Sequence, residues 1–207
     1  MRDRDRRAWD TPELGRRGSC AGGVNTPTDQ PLLVRKARVS DAPRLRQLGI
    51  LGWETTYTDF IRPENRAAYL SGAFWSIETL SRVIVGPENL ALVAEHPQSG
   101  VIGFLTIEPY APDRRKLELT RFYVHPDWRR SGVGSLLLDA ALEQIKHLHA
   151  SALMVNVFAR NAVGRAFYER AGFHLVDIVP VMVGDQIDDD AWYELPLDGD
   201  KQAHTPG

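Results

Sequence analysis

Cysteine is nearly missing from this chain: Cys20 is the only one among 207 residues. A single thiol cannot close an intrachain disulfide or build a thiolate zinc site, so a disulfide scaffold is excluded and a reducing, cytoplasmic setting is expected. Long hydrophobic runs are missing too. No apolar stretch approaches the ~18 residues that cross a bilayer, and neither Arg6-Arg7 nor Arg16-Arg17 is followed by the apolar segment of a signal peptide, so no membrane partner is expected. Nor is there an excess of one charge. With 25 Lys+Arg against 27 Asp+Glu the net charge is −2, which gives no basic field to gather nucleic acid. What is present, 43% hydrophobic and 25% charged residues, matches an ordinary globular domain.

Residues 1–31 hold six arginines against five acids, and Pro12, Gly15, Gly18, Gly22, Gly23, Pro27 and Pro31 interrupt any periodic pattern. Packing there cannot offset the entropy of ordering, and a disordered arm is expected, with an arm that binds nucleic acid or a protein as the alternative. Residues 199–207 read as a disordered tail. Residues 32–198 make one domain with a sizeable core.

Within that domain the hydrophobic period alternates between 2 and 3.6. A strand over Leu32–Ala37 runs into Ser40-Asp41, which can cap a helix bearing Leu45, Leu48, Trp53 and Tyr57. Pro63-Glu64 opens a second helical stretch, and Ser76 caps a third that ends at Gly86-Pro87. Strands follow over Leu90–Glu95, Val101–Glu108 and Lys116–Val124, the first two joined as a hairpin. Leu137, Leu138, Ala141, Leu142, Ile145 and Leu148 then recur at helical spacing, and Ala152–Phe158 reads as a strand buried on both faces. Asn161 caps a further helix that ends at Gly172, and strands over Phe173–Val183 and Trp192–Leu197 close the domain. The predicted class is a mixed α/β (α+β) sheet flanked by helices.

Chemistry concentrates between Val124 and Ser135. Gly132 and Gly134 lack Cβ atoms, so the turn can crowd backbone N–H groups around an anion; the following helix start adds unpaired donors, and Arg129 and Arg130 add charge. This suits a pyrophosphate. The Gly-Lys-Ser/Thr of a P-loop is absent, and Leu137 stands where a dinucleotide fingerprint wants glycine or alanine. A tight turn without a ligand is the plainer reading. A second constellation joins Asn156 on the last buried strand to Asn161 and Tyr168, seven apart on one helix face; here a simple N-cap and a packed aromatic are the plainer readings.

Taken together, Arg129-x-x-Gly132-x-Gly134 after Tyr123-Val124, then Asn156, Asn161-x-x-x-x-Ala166-Phe167-Tyr168 and Ala171-Gly172-Phe173, resemble the Gcn5-related N-acetyltransferases over residues 33–197. Trp53 with Tyr57, the stretches Pro63–Leu70 and Leu117–Val124, and Val183-Gly184-Asp185 are similar to the PaiA-type spermidine/spermine acetyltransferases of bacteria. The resemblance implies a mostly antiparallel sheet of about seven strands whose fourth and fifth strands splay apart. It implies acetyl-coenzyme A as cosubstrate and no metal. Backbone groups of Phe122, Tyr123 and Val124 would pair with the pantetheine arm, Arg129, Arg130, Ser131, Gly132, Val133, Gly134 and Ser135 would cradle the pyrophosphate, and Asn156 and Asn161 would contact the arm. Tyr168 would stand beside the sulfur. A homodimer is a further expectation.

Full proton transfer from a phenol (~10) to a thiolate (~8.5) is uphill by about 2 kcal/mol, so Tyr168 would act mainly by hydrogen bonding. A lysine-like ammonium is neutral in about one molecule per thousand near pH 7, equivalent to ~4–5 kcal/mol of barrier. Glu118, eleven residues before Arg129, is the candidate acceptor of that proton, alternating with Thr120 and Phe122 on one strand face; a water chain is the alternative. Trp53 and Tyr57 are candidate walls of an acceptor cleft for a small-molecule amine such as a polyamine. The run Asp185–Asp190, read as the link between two strands, would attract a polycation or simply be a solvated hairpin tip. His147 and His149, two apart, do not share a helix face and make no metal pair. Transfer to a protein amino group, and a coenzyme A-binding regulator with little turnover, are the other readings.

Overall fold

In the computed structural model, which describes residues 31–197, strand β1 (Leu33–Lys36) leads into three helices, α1 (Ala42–Thr56), α2 (Pro63–Ser71) and α3 (Ile77–Val85). Strands β2 (Leu90–His96), β3 (Gly100–Pro109) and β4 (Lys116–Val124) follow, then α4 (Val133–Ile145), β5 (Ala152–Phe158), α5 (Ala162–Arg170), β6 (His174–Val183) and β7 (Gln186–Pro196). One sheet takes all seven strands in the order β1-β2-β3-β4-β5-β7-β6, antiparallel throughout except for the β4–β5 pair. Both faces are covered, which is why β2, β3 and β5 are almost wholly apolar. On one face Leu92, Leu105, Leu119 and Leu153 pack under Leu137, Ala141 and Ile145 of α4. On the other, Val93 and Phe104 pack under Leu45, Leu48, Trp75 and Leu80. Gly49 lets α1 approach that closely, because a Cβ there would stand 2.0 Å from the buried Trp75 ring.

The β4–β5 pairing decides the shape of the site. It is parallel and holds over three residues only, Lys116–Glu118 against Ala152–Met154. Beyond it β4 pairs only with β3, and β5 only with β7. The two strands diverge, as the family resemblance implied.

Several elements depart from the sequence reading. Asp41 precedes α1 without capping it; its carboxylate accepts from the Arg38 backbone N–H (2.8 Å) and takes Arg35 in a two-pronged pair at 2.7 and 3.1 Å. The arginine offers the stronger, charge-assisted partner. Ser76 and Asn161 do cap their helices, accepting from Thr79 N at 3.0 Å and Gly164 N at 2.9 Å. The fourth helix stops at Ile145, and Leu148 is 55% exposed in a 3₁₀ turn rather than on the apolar stripe. A bulge places Arg121 opposite Thr106 and Leu119 opposite Ile107, leaving Thr120 as the extra residue. Its hydroxyl donates to Glu108 at 2.5 Å. The bulge inverts the alternation, so Leu119 and Phe122 join the same core layer and Glu118 does not share a face with Phe122. Finally, β7 begins at Gln186, and Asp188 and Asp190 are buried strand residues rather than a solvated tip; only Gly184 and Asp185 stand between the two strands. Cys20 and the arginines of residues 1–30 lie outside the described residues, as does the 199–207 tail.

Candidate active site

Where β4 and β5 part, a cleft of about 950 Å³ opens between Thr120, Phe122, Tyr123 and Val124 on one side and Val155, Asn156 and Val157 on the other. Among the described residues the facing edge of β4 past Glu118 has no strand partner, and backbone N–H and C=O groups in such an edge require a hydrogen-bonding partner. An extended ligand carrying amide groups would satisfy them, which is the chemistry of a pantetheine arm.

At its far end the cleft meets the start of α4. Gly132 adopts φ +87° and Arg130 φ +63°, a left-handed bend that turns the chain sharply into the helix. The first-turn N–H groups of Val133, Gly134 and Ser135 have no partner within the helix and carry the positive end of its dipole. Gly132, Gly134, Ser135, Arg129 and Arg130 line the cleft here. The Arg129 guanidinium donates to the hydroxyls of Thr55 (2.8 Å) and Thr56 (3.1 Å) at the end of α1. Partial burial pulls its pKa down, although the group stays a cation. Ser131 and Val133 take other roles: the Ser131 hydroxyl donates to the Trp128 carbonyl at 2.6 Å, and the Val133 side chain is 1% exposed in the core. Their contribution to an anion cradle would be through the backbone. A pyrophosphate thus finds helix donors and two arginines where the arm would end, so these residues fit coenzyme A.

Tyr168 reaches the cleft from α5. Its ring packs against Phe167, Phe173 and Tyr193, and its hydroxyl makes no hydrogen bond among the described residues. Burial pushes the phenol well above its ordinary value, with Tyr57 adding to the rise. This group stays protonated and offers a donor. Asn156 is exposed in an otherwise buried strand and lines the cleft with Asn161. Tyr57, at the C-terminal end of α1, lines it as well; burial lifts its phenol to about 12, against a hydrogen bond from Asn161 and with the Asp190 charge adding to burial.

Two expected residues stand apart from the cleft. Trp53 is 4% exposed, stacks on Tyr69 and donates its indole N–H to the Tyr123 hydroxyl at 3.0 Å, so it belongs to the aromatic core behind the wall. Glu118 is half-buried at the last β4–β5 pair and does not line the cavity. Burial, and then the charge of Glu108 directly opposite, hold its carboxyl above the usual range. A raised carboxyl is a better base near neutral pH than an ordinary one.

The structure adds residues that motif reading passed over. Thr55 and Thr56 anchor Arg129, and Phe60 and Arg160 also line the cleft. Asp190 is 7% exposed and accepts from Asn156 Nδ2 at 2.7 Å; burial raises its carboxyl, the Asn156 bond lowers it, and Asp188 adds to the rise. Three consecutive aspartates, Asp188 to Asp190, carry no alternation of polar and apolar residues, so no local signal in the sequence marks this part of the strand.

Comparison with known proteins converges on one family. The pattern of the Acetyltransferase (GNAT) family matches residues 53–173. The spermidine N(1)-acetyltransferase of Thermoplasma acidophilum is 25% identical over 146 residues, covering 70% of this chain and 89% of that protein. A crystal structure of the PaiA N-acetyltransferase from the same organism, in complex with coenzyme A, superposes with a TM-score of 0.68 at 26% identity over 80% of this chain and 99% of that one. The ribosomal-protein-S18-alanine N-acetyltransferase of Escherichia coli shares the fold, with a TM-score of 0.63 at 19% identity over 84% of this chain and 99% of that one.

Proposed function

Since this chain belongs to the acetyltransferase (GNAT) family and its relatives are N-acetyltransferases, we propose that it transfers the acetyl group of acetyl-coenzyme A directly to a primary amine of a small polyamine. The observation that carries the reading is the unpaired edge of β4 running from the bulge at Thr120 to the donors at the start of α4. Its free N–H and C=O groups are what the amides of a pantetheine arm would pair with, and the helix donors beyond it suit a pyrophosphate. The spermidine acetyltransferase of T. acidophilum supports a polyamine as the acceptor.

In this reading Phe122, Tyr123 and Val124 bind the arm through their backbone, and Arg129, Arg130, Gly132, Gly134 and Ser135 hold the pyrophosphate. The arm delivers the thioester between β4 and β5. The amine enters from the side of Tyr57 and Phe60 and attacks the acetyl carbonyl. Glu118 receives the amine's proton through water, its carboxyl already raised toward the working pH. Tyr168 donates a hydrogen bond to the sulfur as the thiolate leaves; its raised pKa makes full proton transfer less favourable still and keeps the donor in place.

The test is free-thiol release from acetyl-coenzyme A with spermidine, spermine, small monoamines, aminoglycosides and lysine peptides as parallel acceptors. Release that depends on spermidine or spermine is the expected result. Release with lysine peptides alone would move the acceptor to a protein amino group. No release with any acceptor, together with tight cofactor binding in calorimetry, would favour a coenzyme A-binding regulator.

A further inference from the structure

Asn156 is the only polar residue in β5, and its surroundings fix which end of its amide faces the cleft. Its Nδ2 donates to Asp190 Oδ2 at 2.7 Å. Asp190 lies on the neighbouring strand opposite Phe158, two residue pairs beyond the Trp192 that faces Asn156, and is itself only 7% exposed. An ionised carboxylate accepts hydrogen bonds and donates none, so it can hold only the amino end of an amide. The Asn156 oxygen is therefore the free end. It has no hydrogen-bond partner among the described residues, on a side chain that is exposed in the cleft wall.

Asn161 is locked the other way round. Its oxygen accepts from Gly164 N at 2.9 Å as the cap of α5, which leaves its amino group beside Tyr57. The wall thus offers one acceptor and one donor whose identities are set by groups behind them. A ligand amide, with one N–H and one C=O, is the complement of that pair, and so in part is an amine.

We infer that Asp190 is a positioning residue, which turns the Asn156 oxygen into the cleft to accept a hydrogen bond from an N–H of the ligand. This rests on the acetyltransferase reading, in which that N–H belongs either to the pantetheine arm or to the attacking amine. Asp190 touches neither; it acts by excluding the flipped amide, in which an amino group would meet the incoming N–H and repel it.

The test compares wild type, Asp190→Asn, and the exchange of both residues, Asn156→Asp with Asp190→Asn. With Asp190→Asn alone the two amides can pair in either sense, so the orientation of Asn156 is released, and kcat/KM should fall roughly tenfold, as for loss of a charge-assisted hydrogen bond. In the exchanged pair the introduced amide donates to the introduced carboxylate, whose second oxygen again faces the cleft, and most of the loss should be recovered. Coenzyme A affinity by calorimetry and the amine KM separate the two sources: the loss falls on cofactor affinity if the N–H is the arm's, and on the amine KM if it is the amine's. Thermal unfolding of all three proteins separates orientation from lost stability, because a merely structural pair would lose and regain melting temperature in step with kinetics, whereas released orientation lowers kcat/KM at an unchanged melting temperature. Single and wild-type proteins equal in both measurements, or an exchange no better than the single, would overturn the inference. If the wild type acetylates no amine, the proposed function fails, and coenzyme A affinity across the three proteins still decides, equal affinities overturning the role of Asp190 as well.

Discussion

Tyr168 in the cleft wall and Glu118 outside it lead to opposite expectations for stability and turnover. The Tyr168 hydroxyl has no hydrogen-bond partner among the described residues, so removing it leaves nothing unpaired behind. Tyr168→Phe should keep its melting temperature, and its coenzyme A affinity within about threefold, while kcat falls by roughly 10- to 100-fold, as for loss of one hydrogen bond to a developing charge. Retention of half the turnover would remove the role. Glu118 is held as a costly charge: burial and the facing Glu108 raise its carboxyl, so the folded protein binds its proton more tightly than the unfolded chain does. That penalty is absent where both states are protonated, below the ordinary carboxylate value, and grows as pH rises through the raised folded value. Glu118→Gln should therefore melt higher than wild type at pH 7 to 8 and alike at pH 4, while its kcat drops and loses the acid limb of the pH profile. A neutral variant that gains stability and keeps an unchanged pH–rate curve would hand the proton to water alone.

At the scale of elements, the glycine-turn end of the candidate cleft was legible and the rest of its surroundings was not, for a physical reason. A strand, a glycine turn and a helix start form one contiguous segment, and its chemistry is local: Gly132 stands at φ +87°, where an L-residue is strained. No atom lies within 4 Å of where its Cβ would be, so Gly132→Ala tests the backbone alone. The cost of the left-handed bend is about 1 kcal/mol. If relaxing it swings the α4 donors away, coenzyme A binds about fivefold more weakly, with the amine KM unchanged, as calorimetry and kinetics can check. The rest depends on registers that no local pattern reveals. Thr120 suits a strand whether paired or bulged, yet its bulge is what separates Glu118 from the face of Phe122. Trp53 and Tyr57 sit four apart on a helix, a spacing shared by core and cleft residues; the structure buries the first and leaves the second at the wall. Asp185–Asp190 is hydrophilic enough to resemble a turn, but the pairing of β7 with β5 and β6 carries Asp188 and Asp190 inward while Ile187 is 67% exposed. Polarity alone misplaced the strand start by six residues.

On the scale of the whole molecule, the sheet is two blocks joined by a short seam. Strands β1 to β4 pair continuously, as do β5 to β7, but β4 and β5 share three residue pairs. A cofactor lodged past that seam would contact both blocks, β4 through its free edge and α5 through Tyr168 and Asn161, and so supply the cross-links that the strands lack. Such a ligand binds the folded state alone, and at a hundred times its dissociation constant it adds about 2.7 kcal/mol of stability. For a domain of this size that corresponds to a rise of roughly 5–10 °C in melting temperature. The gain should concentrate at the seam, so hydrogen exchange of the backbone amides in Phe122–Val124 and Val155–Val157 should slow more than that of the β2–β3 hairpin. A chain lacking residues 1–30 should show the same shift and the same thiol release, since among the described residues the groups of the cleft lie between Thr55 and Arg170. Uniform slowing of exchange across the sheet would mean that the cofactor stabilises the fold without bridging the seam, and loss of the shift on truncation would give the first 30 residues a part in the site.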